Sequence, residues 1–372
     1  MRFINKDSNI LENYNVSFST SFDEKAKTIS KIAPYSKVLF LTKKKENSQG
    51  LNFINGCKIL GLKIITVYLE SNFSFSVDNV CELFNMPEDV RAIITDESTL
   101  VDTIKYVSKI KNVPSIFMLD HIVNGMFCHK VFIRNGYGVD FFCADGYQYF
   151  ILNNLIDSVS LYRTAMFYPV CLIDILARNE ITNATYNKLF FDFKRIIIKL
   201  VQSLLINDNS NALRYILHIE NMLYKNQEFF YQSSPFITKT ILGRCDNDSF
   251  LSLLNCIAKH YTTAFAIKNI NSDDYALRAK DLSFIANVKP LTALKWIKSQ
   301  LEILDCKTFN IDDIKHEVKS IYSLFLKLVK EYKRLGGVIK EPTCIEKRAI
   351  ELSGDTMFGL NFFTLYRECV KI

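Results

Sequence analysis

The sequence predicts an α/β domain of Rossmann-like type over residues 1–157, followed by an all-helical domain over 158–372. Three observations predict it. Short apolar runs alternate with helical patterns in the first half, long helical periods separated by short polar turns fill the second, and the change falls near Asn154. A chain of 372 residues suits two domains, since single cores stop growing at roughly 250–300 residues.

KVLFLT (Lys37 to Thr42) has the unbroken apolar character of a strand buried on both faces, and LNFINGCKILGL (Leu51 to Leu62) follows as a short amphipathic helix ending at Gly61. KIITVYLE (Lys63 to Glu70) reads as the second strand, FSVDNVCELF (Phe75 to Phe84) as a helix and VRAIIT (Val90 to Thr95) as the third strand. Leu100 to Ile110 supplies the next helix, with Leu100, Ile104 and Val107 on one face, and PSIFML (Pro114 to Leu119) the fourth strand. That is a βαβ series of parallel-sheet type. In the second half, helices are expected over Tyr186 to Leu205, Asn211 to Tyr224, and from an N-cap at Asp248 through Phe265. A longer one, Ile311 to Leu335, places Ile314, Val318, Ile321 and Phe325 on one face and stops at Gly336-Gly337. No internal repeat or low-complexity linker interrupts the chain, so the two domains are expected to pack closely with a cleft between them.

Nearly half the residues are apolar, including 29 Phe and 18 Tyr, and no run of about 18 uninterrupted apolar residues is present. The opening MRFINKDSNILENYN mixes charge and Asn throughout and lacks a signal peptide's apolar centre, so a cytoplasmic location is expected. Ten cysteines without a C-x-x-C pair fit reduced thiols in the core. The net charge of +7 is spread along the chain with only short runs such as Lys43 to Lys45. Electrostatic nucleic-acid binders concentrate charge on one face, so neither a nucleic-acid nor a membrane partner is expected.

The candidate chemistry centres on TDESTLVDTIKYVS, Thr95 to Ser108, a strand-to-helix turn of the kind at which α/β proteins hold phosphates. Its turn carries two acids and no glycine. Asp96 and Glu97 suit the positive end of the helix dipole, with Ser98 or Thr99 as the expected cap. Downstream, His121 and His129 flank Asn124-Gly125 after the fourth strand, and Asp120-His121 is a candidate acid–base pair.

DESTLVDTIK resembles the G-S-G-T-x-x-D-x-x-K or G-G-G-S-x-x-D-x-x-K turn of one family. That family joins sn-glycerol-1-phosphate dehydrogenase, glycerol dehydrogenase, iron-containing alcohol dehydrogenase and 3-dehydroquinate synthase. Asp96, Glu97 and Ser98 stand over the first three positions, Thr99 over the Thr/Ser, Asp102 over the Asp and Lys105 over the Lys. Three further stretches are similar in order and spacing. PSIFMLDHIVNGMF (Pro114 to Phe127) resembles P-x-I-x-V-P-T-x-x-S-x-D-G-Y with one residue missing, placing Asn124-Gly125 over Asp-Gly. HYTTAFAI (His260 to Ile267) resembles H-G-x-x-V-A-x-G, and LNFFTLY (Leu360 to Tyr366) the closing R-x-R-Y-T-x-L.

The resemblance implies a dehydroquinate synthase-like fold and an NAD(P)-dependent alcohol or polyol-phosphate oxidoreductase. Ser98, Thr99, Asp102, Lys105, Asn124 and Gly125 would meet the cofactor, and a zinc or iron ion would polarise the substrate hydroxyl. It further implies a polyol or sugar phosphate as ligand and a homodimer as the assembly. This chain departs from the pattern at several points. The glycines of the turn are replaced, three lysines follow Thr42 where an acid contacts the ribose, and Thr164 stands at the position of the metal's Asp ligand. His260 keeps one histidine position, while Asp246 or Asp248 is the oxygen donor near the other. Asp174 and Lys105 are candidate polar residues of the cleft, with a surface or capping role as the favoured reading. Two readings stay open: a divergent relative that has lost metal- and NAD(P)-dependent chemistry and acts as a binding or interaction protein, and an active polyol-phosphate dehydrogenase with an altered metal site. A third, a metal-independent enzyme on sugar phosphates using lysines and His121, has only the positive charge behind it.

Overall fold

The computed structural model describes residues 15–19, 21–43, 48–69, 80, 83, 87–135, 138–153, 156–182, 187–242, 247–263, 275–304, 311–356 and 363. The chain divides into two compact units, Met1–Asn135 with Asp140–Asp157, and Gly136–Val139 with Ser158–Ile372. The helix expected over 75–84 lies outside the described residues except for Val80 and Leu83.

The first unit is an α/β layer structure built on a parallel sheet. Its strands are β1 (Val16–Ser19), β2 (Lys37–Thr42), β3 (Lys63–Tyr68), β4 (Val90–Thr95), β5 (Ser115–Leu119) and β8 (Gln148–Asn153), in the order β1-β8-β5-β4-β2-β3. Every pairing is parallel, as the apolar runs KVLFLT, VRAIIT and SIFML require of strands covered on both faces. Helices α1 (Phe22–Ile32), α2 (Ser48–Ile59) and α3 (Val101–Lys111) belong to the crossovers. Between α1, α2 and the sheet, Ile29, Val38, Phe53, Ile94, Ile116 and Ile151 belong to one buried cluster, with Phe40 packed edge-on to Phe53. β6 (Lys130–Asn135) and β7 (Gly138–Cys143) make a separate two-stranded sheet.

Local signals place the boundaries. Ser21 caps α1 by accepting from the Glu24 N–H at 3.1 Å. Asn112 ends α3 in the left-handed conformation, φ 53°, and Val113 N–H returns to the Ser108 carbonyl. The sequence missed β1, α1 and β6–β8: β1 spans only four residues, and Gln148–Asn153 mixes Gln, Tyr and Asn with its apolar positions.

The second unit is all-helical: α4 (Ser158–Ala165), α5 (Phe167–Thr182), α6 (Asn187–Leu205), α7 (Asn209–Lys225), α8 (Gln227–Tyr231), α9 (Ser234–Leu242), α10 (Asn247–Thr263), α11 (Tyr275–Ala286), α12 (Pro290–Leu304), α13 (Ile311–Arg334) and α14 (Cys344–Leu352). α5 is buried along most of its length because it is apolar nearly all round. Aromatic side chains of α5, α8 and α9 stack near it, with Phe167 and Phe230 at 5.7 Å and Phe230 and Phe236 at 4.3 Å between centroids. Asp248 was expected as an N-cap. α10 already includes Asn247, so Asp248 lies in its first turn instead.

α13 stops where Gly336-Gly337 predicts. Gly336 has φ +88°, and its neighbour Gly337 is constrained by space: a Cβ there would come 2.3–2.5 Å from three ring atoms of Tyr332. That ring is 2% exposed and has little room to yield. Gly337→Ala is therefore expected to destabilise the helical unit by about 2 kcal/mol through overpacking. A denaturation midpoint unchanged from the parent would refute this.

Candidate functional site

The strand order reverses between β2 and β4: the chain leaves β2 outward to β3, then returns to the other side of β2 for β4. The carboxyl ends of these strands form the topological switch point at which open α/β sheets bind ligands. Leu41 pairs with Thr95 there, and both Thr42 and Thr95 are buried. The turn that follows β4, Asp96 to Leu100, is the one singled out from the sequence.

Its backbone turns inward on itself. The Glu97 N–H donates to Thr95 Oγ1 at 3.0 Å, and Leu100 N–H to the Glu97 carbonyl at 3.1 Å. Ser98–Leu100 is a 3-10 turn, after which Val101 N–H bonds to the Ser98 carbonyl. α3 then begins at Val101 with no side-chain cap, so Ser98 and Thr99 sit inside the turn; the expected capping by either is corrected. A pyrophosphate at a helix N-terminus needs several N–H groups directed outward. Here those of Glu97, Leu100 and Val101 are spent within the turn, and Asp96 and Glu97 add negative charge. The residues present do not fit the pyrophosphate of a dinucleotide. Lys43, at the end of β2, lies near Glu97. Burial lowers its pKa, and the Glu97 charge acts in the opposite direction.

The cofactor candidates separate as the helix turns. Thr99 is exposed, Ser98 and Asp102 are half-buried, and Lys105 is 2% exposed. Lys105, read as a cofactor contact in the cleft or as a surface or capping side chain, is buried, and its Nζ donates to the Cys128 carbonyl at 2.7 Å and ties α3 to the loop after β5. That loop turns at Asn124-Gly125, where Gly125 takes φ +73° and accepts from Cys128 N–H at 2.9 Å. The Lys105 ammonium is thus joined to the Asn124-Gly125 loop through the backbone of Cys128. Asp120 is exposed and lies 3.9 Å from Lys25 Nζ.

His129 is half-buried, its Nδ1 3.3 Å from Gln148 Nε2, which also donates to the Ala144 carbonyl at 2.7 Å. Burial, then the Lys105 charge, lowers the His129 pKa against a smaller pull from Asp145. In the helical unit His260 is lowered chiefly by burial, with Glu351 opposing. A folded-state pKa below the ordinary 6.5 means that the unfolded chain binds protons first. The stability contributed by neutral His129 and His260 is complete above pH 6.5 and falls as pH drops through the lowered folded pKa values. Urea titrations of the parent and of His129→Asn and His260→Asn should show a flatter pH dependence below pH 6.5 in each variant. Superimposable profiles would count against this assignment.

Two residues that the resemblance assigns to a metal, Thr164 and His260, lie on different helices. Thr164 is buried in α4, and its hydroxyl donates to the Ser160 carbonyl of its own helix at 3.1 Å. His260, in the last turn of α10, packs its ring near Phe363 at 6.1 Å. Asp246 lies outside the described residues, as does the side chain of Asp248. Among the described residues no three His, Cys, Asp or Glu side chains cluster to hold a metal. At the position that the resemblance assigns to a metal's carboxylate ligand, Thr164 brings a hydroxyl engaged by its own helix, which does not fit a zinc or iron ion.

Sequence reasoning also misplaced Asp174. It is 3% exposed and accepts from Ser234 N–H at 2.7 Å, Ser234 Oγ at 2.8 Å and Tyr261 OH at 2.8 Å. Tyr261 is pushed well above the ordinary tyrosine pKa by burial first and by the Asp174 charge second. The signal lay in the sequence: a lone acid inside VCLIDILA, on a helix too apolar to leave it in water. Ser234 and Tyr261 carried no comparable signal.

No protein-family model matches the chain, and no curated protein matches it. Solved structures do. Glycerol dehydrogenase from Schizosaccharomyces pombe is similar at 11% identity and TM-score 0.47, covering 88% of this chain and 93% of that one. An iron-containing alcohol dehydrogenase from Thermotoga maritima is similar at 11% identity and TM-score 0.45, covering 91% and 96%. A 1,3-propanediol oxidoreductase gives 11% and 0.46, covering 84% and 97%. The chain itself has an α/β unit on a parallel sheet and an all-helical unit.

Proposed function

We propose that this chain is a divergent dehydrogenase-like protein in which metal- and NAD(P)-dependent oxidation of an alcohol has been lost, and that it acts as a binding or interaction protein. Thr164 carries this reading. Its buried hydroxyl, bonded to Ser160, occupies the position at which the resemblance calls for a carboxylate ligand. The turn after β4 supports it, because the N–H groups of Glu97, Leu100 and Val101 are engaged within it and Asp96 and Glu97 are acidic where a pyrophosphate would sit. The ligand class that the resemblance suggests is a polyol or sugar phosphate, held at the carboxyl edge of the sheet near Lys43.

Purified protein should take up no stoichiometric zinc or iron, bind NADH and NADPH with Kd weaker than about 1 mM, and give no change in nicotinamide absorbance with glycerol phosphate or dihydroxyacetone phosphate. Micromolar cofactor affinity with one bound metal and turnover would overturn the proposal in favour of an active polyol-phosphate dehydrogenase.

A further inference from the structure

Part of the positive charge that looks dispersed along the sequence lines two helices of the helical unit. α13 is 24 residues long, about 36 Å. At 100° per residue Lys319, Leu326, Lys327, Lys330, Lys333 and Arg334 fall within an arc of about 120°, and all six are exposed. α6 shows the same pattern: Lys188, Phe191, Arg195, Lys199, Gln202 and, in the turn that continues it, Ile206 fall within about 80° and are exposed.

The two helices lie side by side and run parallel. Lys194 of α6 meets Glu317 of α13 at 2.5 Å. Further along both, the Leu204 carbonyl accepts from Tyr162 OH at 2.8 Å, and Tyr162 feels the charges of Glu331 and Arg334. Of the carboxylates on these two helices whose side chains are described, Asp192 pairs with Arg195, Glu317 with Lys194, and Glu331 with Arg334; the side chains of Asp312 and Asp313 lie outside the described residues. Lys188, Lys199, Lys319, Lys327, Lys330 and Lys333 have no ion-pair partner among the described residues. Between these cations stand bulky apolar side chains: Phe191 is 60% exposed, Ile206 74% and Leu326 46%.

We propose that the paired faces of α6 and α13 dock on an anionic phospholipid surface. Six unpaired ammonium groups complement lipid phosphates and carboxylates. A second copy of the same platform would repel them. Phe191, Ile206 and Leu326 select between polyanions, because aliphatic and phenyl groups gain from entering the headgroup boundary and have no counterpart on a nucleic-acid backbone. Each lysine near such a surface contributes roughly fivefold in partitioning, that is about 1 kcal/mol, and the attraction falls off within a Debye length of about 8–10 Å.

Flotation of the full chain with vesicles tests this. It should bind phosphatidylcholine vesicles containing roughly one-third phosphatidylserine, stay in solution with phosphatidylcholine alone, and be released on raising salt from about 0.1 M to about 0.5 M. Lys327→Glu/Lys330→Glu/Lys333→Glu should lower binding by more than about 100-fold, with circular dichroism unchanged. Arg195→Glu/Lys199→Glu gives an independent disruption on α6, and Phe191→Ser/Ile206→Ser should weaken vesicle binding at constant charge. Lack of binding to the anionic vesicles overturns the proposal. So does equal binding by the charge-reversed variants, or retention of duplex DNA or RNA in a mobility shift with no response to Phe191→Ser/Ile206→Ser.

Discussion

Asp174→Ala is expected to lower the melting temperature of the helical unit by roughly 10 °C, reflecting a loss of about 3–5 kcal/mol at about 2–4 °C per kcal/mol. The carboxylate is buried in α5 and accepts from the Ser234 N–H, the Ser234 hydroxyl and the Tyr261 hydroxyl. Ser234 opens α9, so its N–H is one of the donors that a helix leaves without an internal partner. The negative charge also faces the positive end of that helix. Truncation removes an acceptor from three buried donors at once, and none of them has water to turn to.

A graded series separates this account from simple loss of packing. Asp174→Asn keeps the shape but directs an amide N–H at one of the donors, so an intermediate loss of about 2 kcal/mol is expected. Tyr261→Phe and Ser234→Ala each leave Asp174 with other partners and should cost about 1–1.5 kcal/mol. A melting temperature for Asp174→Ala within a degree or so of the parent would show that the three donors find other acceptors, and would remove Asp174 as the link between α5, α9 and α10.

The elements legible in the sequence were those whose pattern follows from burial alone. β2, β4 and β5 stood out because strands covered on both faces are continuously apolar, and β3, half-buried at the sheet edge, because KIITVY is apolar and β-branched. α13 stood out because Ile314, Val318, Ile321 and Phe325 repeat on one face and end at Gly336. The turn at Asp96 was also legible in composition, since the missing glycines are a matter of identity. How that turn spends its N–H groups was not, because the Thr95 hydroxyl that takes the Glu97 N–H could as readily have faced solvent. Lys105 and Asp174 were misread for a common reason: a single charge in a helix defaults to the surface unless its partner is known. Here the partners stand 23 residues away at Cys128 and 60 away at Ser234.

The buried pair between Arg278 and Asp355 should have the other large effect. Arg278 Nε donates to Asp355 Oδ2 at 3.0 Å and Nη2 to Oδ1, with both side chains almost wholly out of water. The guanidinium also lies over the Tyr275 ring at 5.2 Å. Asp355 closes the 3-10 turn Ser353–Asp355 after α14, and Gln300 of α12 donates to the next carbonyl, Thr356, at 3.0 Å. α11 and α12 therefore hold residues 353–356 by polar contacts in a dry setting. Asp355→Ala strands the guanidinium and is expected to cost about 3–5 kcal/mol. The double change Arg278→Met/Asp355→Leu should regain most of that loss, because removing both charges removes the desolvation penalty that each imposes alone. Urea unfolding of the two variants decides the matter. If the double variant is as unstable as Asp355→Ala, the bidentate attraction exceeds the cost of drying both ions and the pair is a net source of stability. If it recovers, the pair chiefly fixes the position of the turn, and limited proteolysis of the double variant should cut near Ser353–Thr356 while its global midpoint stays close to the parent's.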